Sequence, residues 1–207
     1  MTIRIGFIGL SANAAGTSWA SNAHLPYLLS ARGKEQYKIV ALANTSVESA
    51  QASIKKYELD PSTKAYGDVQ QLADDPDVDL VVVSTRVDDH YKTGLPAVKA
   101  GKAVFIEWPL AQDVKHAKEL VEAAKQSGSK TVVGVQGRYA PPIVKLKEVL
   151  DSGVIGDLLS SEIVAAGGTG DRVKLAHKLE YFTDKSVGGN PITIGLGHCK
   201  FGDSNGD

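Results

Sequence analysis

The strongest constraint in this chain is a set of short apolar runs without polar alternation. Leu80-Val81-Val82-Val83 is the plainest, and Ile3 to Ile8, Ile39 to Ala43, Ala103 to Ile106 and Val132 to Val135 follow the same rule. A strand with one wet face alternates apolar and polar residues, so unbroken runs predict a sheet covered on both faces. Segments with helical spacing separate them, and that alternation predicts parallel strands joined by crossover helices. The clearest helix covers residues 113–126: Val114, Ala117, Leu120, Val121 and Ala124 share one face, Asp113 caps the start and Gly128 stops the end. Further helices are expected over residues 19–31, 47–57, 68–73 and 93–100. The fold class is therefore α/β, with a doubly wound parallel sheet.

After Gln136 the pattern changes. Pro141-Pro142 opens a helix carrying Ile143, Val144, Leu146, Val149 and Leu150, and Ser152-Gly153 closes it. Ile155-Gly156-Asp157 predicts a turn, and residues 158–166 predict a strand. Two domains are expected, over residues 1–137 and 138–207. The second has only about fifty residues after that turn, at the small end of what holds a core.

Bulk properties exclude some functions. The net charge is −1, so no strong field draws the chain to nucleic acid or an anionic membrane. No apolar run is long enough to span a bilayer, and the first residues lack the pattern of a secretory signal. The single cysteine, Cys199, has no partner for an intramolecular disulfide or a cysteine metal site, which points to a reducing compartment. A cytoplasmic location is expected, or a nuclear one for a regulator.

Chemistry in an open α/β sheet collects at the carboxyl ends of its strands, and four stretches fall there. Gly9-Leu10-Ser11-Ala12 begins a small-residue loop reaching Gly16 and Ser18, which suits close approach of backbone N–H groups to a pyrophosphate. The glycine fingerprint is partly met: Ser11 replaces the second glycine and the loop is long. A plain surface loop explains the same residues equally well. Asn44-Thr45-Ser46 follows the second run without the carboxylate that an NAD-preferring site places on the ribose, which leans towards NADP; these residue types also cap helices. Ser84-Thr85-Arg86 offers hydroxyls and a cation for a phosphate or ribose, and His90 can orient this loop by hydrogen bonding. Asp88-Asp89-His90 reads as a solvated turn with helix-capping acids, and no metal site is expected. Last comes Glu107-Trp108-Pro109. A buried carboxylate needs partners, and Trp108 offers a flat apolar face suited to a nicotinamide ring, or to a core at a domain seam. Its indole N–H cannot shuttle a proton.

Together these residues resemble a known family. Ile5-Gly6-Phe7-Ile8-Gly9, the loop from Ser84 to His90, the run from Gly101 through Glu107-Trp108-Pro109 to Ala111, Val135-Gln136-Gly137-Arg138 and the run from Asp151 to Asp157 occur in the order of the Gfo/Idh/MocA oxidoreductases. The resemblance covers residues 2–198 and is specific as a set. It implies an N-terminal Rossmann domain and a C-terminal α+β domain whose open sheet binds substrate and forms homo-oligomers in full-length relatives. In catalytic members the strand ends in Glu-Lys-Pro, and the lysine assists proton transfer; Trp108 stands in its place. This is similar to a Glu-Trp branch that includes the fungal galactose-regulon repressor, which acts through protein contacts. Carried across, Gly9, Ser11 and Ala12 would approach the pyrophosphate, Asn44 and Thr45 the adenosine ribose, and Ser84, Thr85 and Arg86 the middle of the cofactor. Glu107, Trp108 and Gln136 would lie near the nicotinamide, and His198 matches the active-site histidine of the second domain.

The likeness stops after His198. Phe201 stands where the family has an acid, the long apolar helix that follows is absent, and residues 199–207 have no apolar period. Cys199-Lys200-Phe201 can be encoded by a string containing GUAAGU, a usual intron start, so the expectation is a truncated second domain with an atypical tail from a retained intron or a mispredicted gene end. The expected function is that of an NAD(P)-binding oxidoreductase-like protein transferring hydride between nicotinamide and a sugar-like or polyol substrate, with Trp108 weighing against turnover. The alternatives are a non-catalytic dinucleotide-sensing regulator that binds another protein rather than DNA, and a nonfunctional fragment.

Overall fold

The computed structural model describes residues 2–12, 18–162, 164 and 177–200. The chain divides between Gly134 and Val135 into two compact units.

The first unit is built on six parallel strands: β1 (Ile3–Ile8), β2 (Tyr37–Ala43), β3 (Lys64–Tyr66), β4 (Leu80–Val83), β5 (Ala103–Glu107) and β6 (Thr131–Gly134). Their order is β3-β2-β1-β4-β5-β6, so the connections run outwards one way from β1 and then the other way from β4. Consecutive residues of a strand point to opposite faces, and each face has its own core. Val81, Val83, Val104 and Ile106 pack with Leu72 of α4 (Val69–Asp74), Ala97 and Val98 of α5 (Val87–Lys99) and Leu120 and Ala123 of α6 (Val114–Ser127). Ile5, Phe7, Leu42 and Val82 pack on the other face with Leu25 of α1 (Leu25–Leu29) and Ala50 of α3 (Val47–Lys56). Burial on both faces is why these strands carry no polar alternation.

Three elements of the first unit differ from expectation. The helix expected over residues 19–31 is a wide π-helical turn (Ala20–His24) leading into α1, then a break at Ser30 and a separate α2 (Ala31–Gln36). Ser30 is extended, and its hydroxyl accepts from Gly33 N at 3.0 Å, which starts the new helix. α5 begins at Val87 rather than near residue 93; Asp88 and Asp89 fill its first turn, where acids suit the helix dipole. β3 has no apolar run, because a three-residue edge strand with Lys64 in the open buries too little to leave one.

The second unit opens with a 3₁₀ turn (Gln136–Tyr139) and α7 (Pro141–Asp151), which buries none of its residues. The strand expected over residues 158–166 is not formed in its described part: residues 158–162 and 164 are exposed and carry no strand pairing. No neighbouring strand in this unit is described, and an unpaired strand leaves its backbone groups without partners. Residues 163, 165 and 166 lie outside the described residues, as do 201–207 of the expected tail. Shorter turns (His177–Thr183, Lys185–Val187) lead to Asn190, whose side chain accepts from Ile192 N and Thr193 N and caps the helical turn Pro191–Leu196 before α8 (Gly197–Lys200). No described helix is long and apolar enough to cross a membrane.

Candidate functional site

The strand order reverses between β1 and β4, and the crevice beyond the carboxyl ends of such a pair is where open α/β sheets hold ligands. Gly9 closes this crevice at its base. Its φ is 95°, a conformation that disfavours a side chain, and a Cβ there would lie 2.5 Å from the Ser84 carbonyl oxygen. Gly9 N donates to Ala43 O at 3.2 Å and Ser84 N to Ile8 O at 3.0 Å, so the ends of β1, β2 and β4 are tied together. The missing side chain lets the Ser84-Thr85 backbone pack directly against the end of β1, which fixes the floor of the crevice.

Asn44 faces inwards over this loop. Its amide nitrogen donates to Leu10 O at 2.9 Å and reaches Ser53 Oγ at 3.1 Å and Ser49 O at 3.3 Å. Ser46 is the residue that caps α3, accepting from Ser49 N at 3.2 Å, while Thr45 is exposed at the strand end. Ser11 and Ala12 are half-buried, and their carbonyls accept from Tyr57 Oη and Lys56 Nζ.

Beyond β4, Ser84 and Thr85 are half-buried and Arg86 is exposed at the start of α5. The Arg86 guanidinium grips both carboxylate oxygens of Asp88 and holds that acid below the usual range. Asp89 pairs with Lys92. No cluster of three or more His, Cys, Asp or Glu among the described residues is arranged to hold a metal. His90 is only 2% exposed and lies beneath the loops: Nδ1 meets Pro109 O at 2.7 Å and Nε2 meets Thr85 O at 3.1 Å. It joins the loop after β4 to the loop after β5. Burial pushes its pKa below the usual value, against the pull of the two carbonyls, Glu107 and Asp89.

Glu107 ends β5 almost fully buried, at 7% exposure. His24 Nε2 bonds its Oε1, and the His24 ring sits edge-on to Phe7 and Phe105 at 6.0 and 5.5 Å. Its other oxygen lies against Gly134, the paired residue of β6, where a Cβ would stand 2.6 Å away. Glu107 is therefore held in a slot made by a histidine on one side and a missing side chain on the other. Trp108 follows, half-buried, with a cis peptide bond to Pro109. Sequence reasoning missed His24, Lys56, Tyr57 and Gly134. None stands at a strand's carboxyl end beside a motif except Gly134, which directly precedes Val135-Gln136. Gln136 and His198 belong to the second unit, where the α8 residue His198 is half-buried and its carbonyl oxygen lies 3.4 Å from where a Gly137 Cβ would stand.

A family model described as "Oxidoreductase family, NAD-binding Rossmann fold" matches residues 3–135. The chain belongs to the Gfo/Idh/MocA oxidoreductase family. A second model, for the Gal80p C-terminal domain, matches residues 141–200. Among curated relatives of this family member, the dehydrogenase aclE of Aspergillus oryzae is 36% identical over 95% of this chain and 52% of its own length. The galactose/lactose metabolism regulatory protein GAL80 of Saccharomyces cerevisiae is 30% identical over 95% of this chain and 45% of its own. In structure, a super-repressor mutant of Gal80p from Saccharomyces cerevisiae aligns with a TM-score of 0.84 at 30% identity, covering 97% of this chain and 52% of that one. The myo-inositol dehydrogenase of Lactobacillus casei, solved with NAD(H) and myo-inositol, aligns at 0.64 and 32% identity, covering 75% and 43%. This chain thus spans about half the length of the relatives it matches.

Proposed function

We propose that this chain binds a nicotinamide dinucleotide across the ends of β1, β4 and β5 as part of an oxidoreductase-like protein. The observation that carries this reading is the switch point between β1 and β4, where Gly9 lets the Ser84 loop pack close, beside the Glu107-Trp108-Pro109 corner held by His24 and His90. Gly9, Ser11 and Ala12 would border the pyrophosphate, Ser84, Thr85 and Arg86 the middle of the ligand, and Thr45 the adenosine ribose. Asn44 and His90 serve by fixing loops, as their backbone partners indicate. β2 is followed by Asn44-Thr45-Ser46, without a carboxylate, which supports NADP over NAD.

When bound, the nicotinamide supplies hydride chemistry, here with a sugar-like or polyol substrate. The protein's part is to position the ring and exclude water, with Trp108 as a flat platform braced by the buried Glu107 and Pro109. Trp108 holds no transferable proton, so proton transfer falls to another group, for which His198 or Tyr181 of the second unit is the candidate. The aclE likeness supports turnover. A second reading, a dinucleotide-sensing regulator acting through a protein partner in the cytoplasm or nucleus, is favoured by Trp108 in the lysine position and by the Gal80p likeness of both units. The near-neutral charge favours protein contacts over DNA in that reading.

The test is to titrate the protein with NADPH and NADH while following tryptophan emission, with Trp19→Phe to isolate Trp108. Quenching of Trp108, stronger per mole with NADPH, is expected; silence with both would remove the site. Assay of polyol oxidation by the native chain and by Trp108→Lys separates the two readings. Turnover at an ordinary enzymatic rate by the native protein rules out the regulator, and activity only in the lysine variant rules out the enzyme.

A further inference from the structure

Three carbonyls in succession after Gly9 are each taken by a side chain from the segment that follows β2. Asn44 Nδ2 donates to Leu10 O at 2.9 Å, Tyr57 Oη to Ser11 O at 2.9 Å, and Lys56 Nζ to Ala12 O. Lys56 ends α3 and Tyr57 caps it, with the ammonium 5.4 Å from the centre of the Tyr57 ring. The platform beneath is rigid. Ser46 caps the start of α3, Ala50 and Ser53 are buried, and Ser53 Oγ bonds both Ser49 O and the Asn44 amide.

This arrangement answers a problem posed by the sequence. Ser11 stands where the dinucleotide fingerprint has its second glycine, and the loop is longer than the fingerprint allows. A long loop loses more conformational entropy when a ligand orders it, and any carbonyl turned towards a pyrophosphate repels it. Side chains that hold successive carbonyls against α3 address both costs before the ligand arrives.

We propose that Lys56 and Tyr57 are positioning residues for a dinucleotide pyrophosphate, acting through the Ser11 and Ala12 carbonyls and not by touching the ligand. The proposal rests on the dinucleotide reading above and adds to it the helix α3 as the loop's anchor. It also assigns Lys56 a role that charge alone does not give: an ammonium spent on a carbonyl orders the loop instead of pairing with phosphate.

Calorimetric titration of NADPH into the native protein, Tyr57→Phe, Lys56→Met and Lys56→Arg tests it, with inorganic pyrophosphate as competitor and the thermal midpoint measured alongside. One hydrogen bond to the loop corresponds to a loss of roughly three- to tenfold in affinity, expected for Tyr57→Phe and for Lys56→Met, while Lys56→Arg stays near native. The inhibition constant of pyrophosphate should rise by the same factor, alongside the small fall in thermal midpoint that one lost hydrogen bond brings; a purely structural role lowers the midpoint and leaves the affinity of the folded protein unchanged. Unchanged affinity in both loss variants overturns the proposal. So does a loss in Lys56→Met with none in Tyr57→Phe, which would make Lys56 a direct phosphate ligand. Failure of the native protein to bind either NADPH or NADH is a separate result that overturns the cofactor reading and this proposal with it.

Discussion

Glu107 is the residue whose surroundings say most about the site. A carboxylate buried to 7% exposure must be bonded, and His24 supplies the bond from 83 positions away in the chain. No spacing rule shows that partnership, since His24 sits alone in an otherwise ordinary helical stretch and only the closure of the sheet brings it to β5. Glu107 itself was legible, because it ends an apolar run; its slot was not, because the slot is made by the hydrogen in place of a side chain at Gly134. Gly134→Ala puts a methyl group 2.6 Å from the Glu107 carboxylate and 2.9 Å from the Phe105 ring. Backbone on a paired strand cannot yield easily, so a destabilisation of about 1–3 kcal/mol is expected from overpacking. Urea unfolding checks it, and a weakened quench of Trp108 by NADPH should accompany the loss if the corner shifts.

At the scale of elements, the loops after β4 and β5 are fixed to each other by one ring. His90 is held with its pKa depressed, chiefly by burial. Its unfolded counterpart takes up a proton near the ordinary value of about 6.5, so the unfolded state binds more protons below that pH. Stability is therefore complete above about pH 6.5 and falls as the pH drops towards the lowered folded value. Denaturant unfolding at pH 7.5, 6.5 and 5.5 should show this decline, and His90→Gln should flatten it; an equal slope in both proteins would show that His90 does not titrate between the two states. Legibility among the elements followed burial. The strands β1, β2, β4 and β5 were readable because both their faces are covered, whereas β6 keeps an apolar run although Val132 is 58% exposed. α6 was readable from its cap and closing glycine, but of its expected face Val114 and Val121 are exposed, and Ala123 is buried beside Leu120 instead. The edge strand β3 has three residues and leaves no pattern, the first turn of α5 is polar, and Ser30 breaks a helix whose apolar spacing runs on across it. Residues 158–162 and 164 have side chains that a strand could use, but a strand requires a partner that composition cannot supply.

Among the described residues, buried apolar side chains are concentrated in the first unit. Among the described residues of the second, Val187 is the buried hydrophobic one, while Val154, Leu159 and Val164 are 75%, 94% and 87% exposed. Limited proteolysis should therefore cut first within residues 152–164 and leave a resistant core ending near Gly134, detectable by mass spectrometry. Initial cleavage inside residues 37–127 would contradict that division of stability. The foot of the sheet is stitched as well: the Arg4 guanidinium grips both oxygens of Asp79 at 2.8 and 3.0 Å and draws its carboxyl down to about 2, tying β1 to the residue before β4.

The same seam, β1 against β4, has a consequence for the life of the chain. Strands β1 to β3 and strands β4 to β6 are each continuous in sequence, and the two sets pair along one line, Ile5 to Ile8 of β1 against Leu80 to Val83 of β4. A molecule lying over Gly9 and Ser84 is gripped only after those halves have docked, so it rewards the finished sheet and neither half alone. By mass action a ligand at a hundred times its dissociation constant adds about 2.7 kcal/mol to such a state. If the proposed site holds a dinucleotide, its supply would then set how large a share of the chains stands folded against proteases.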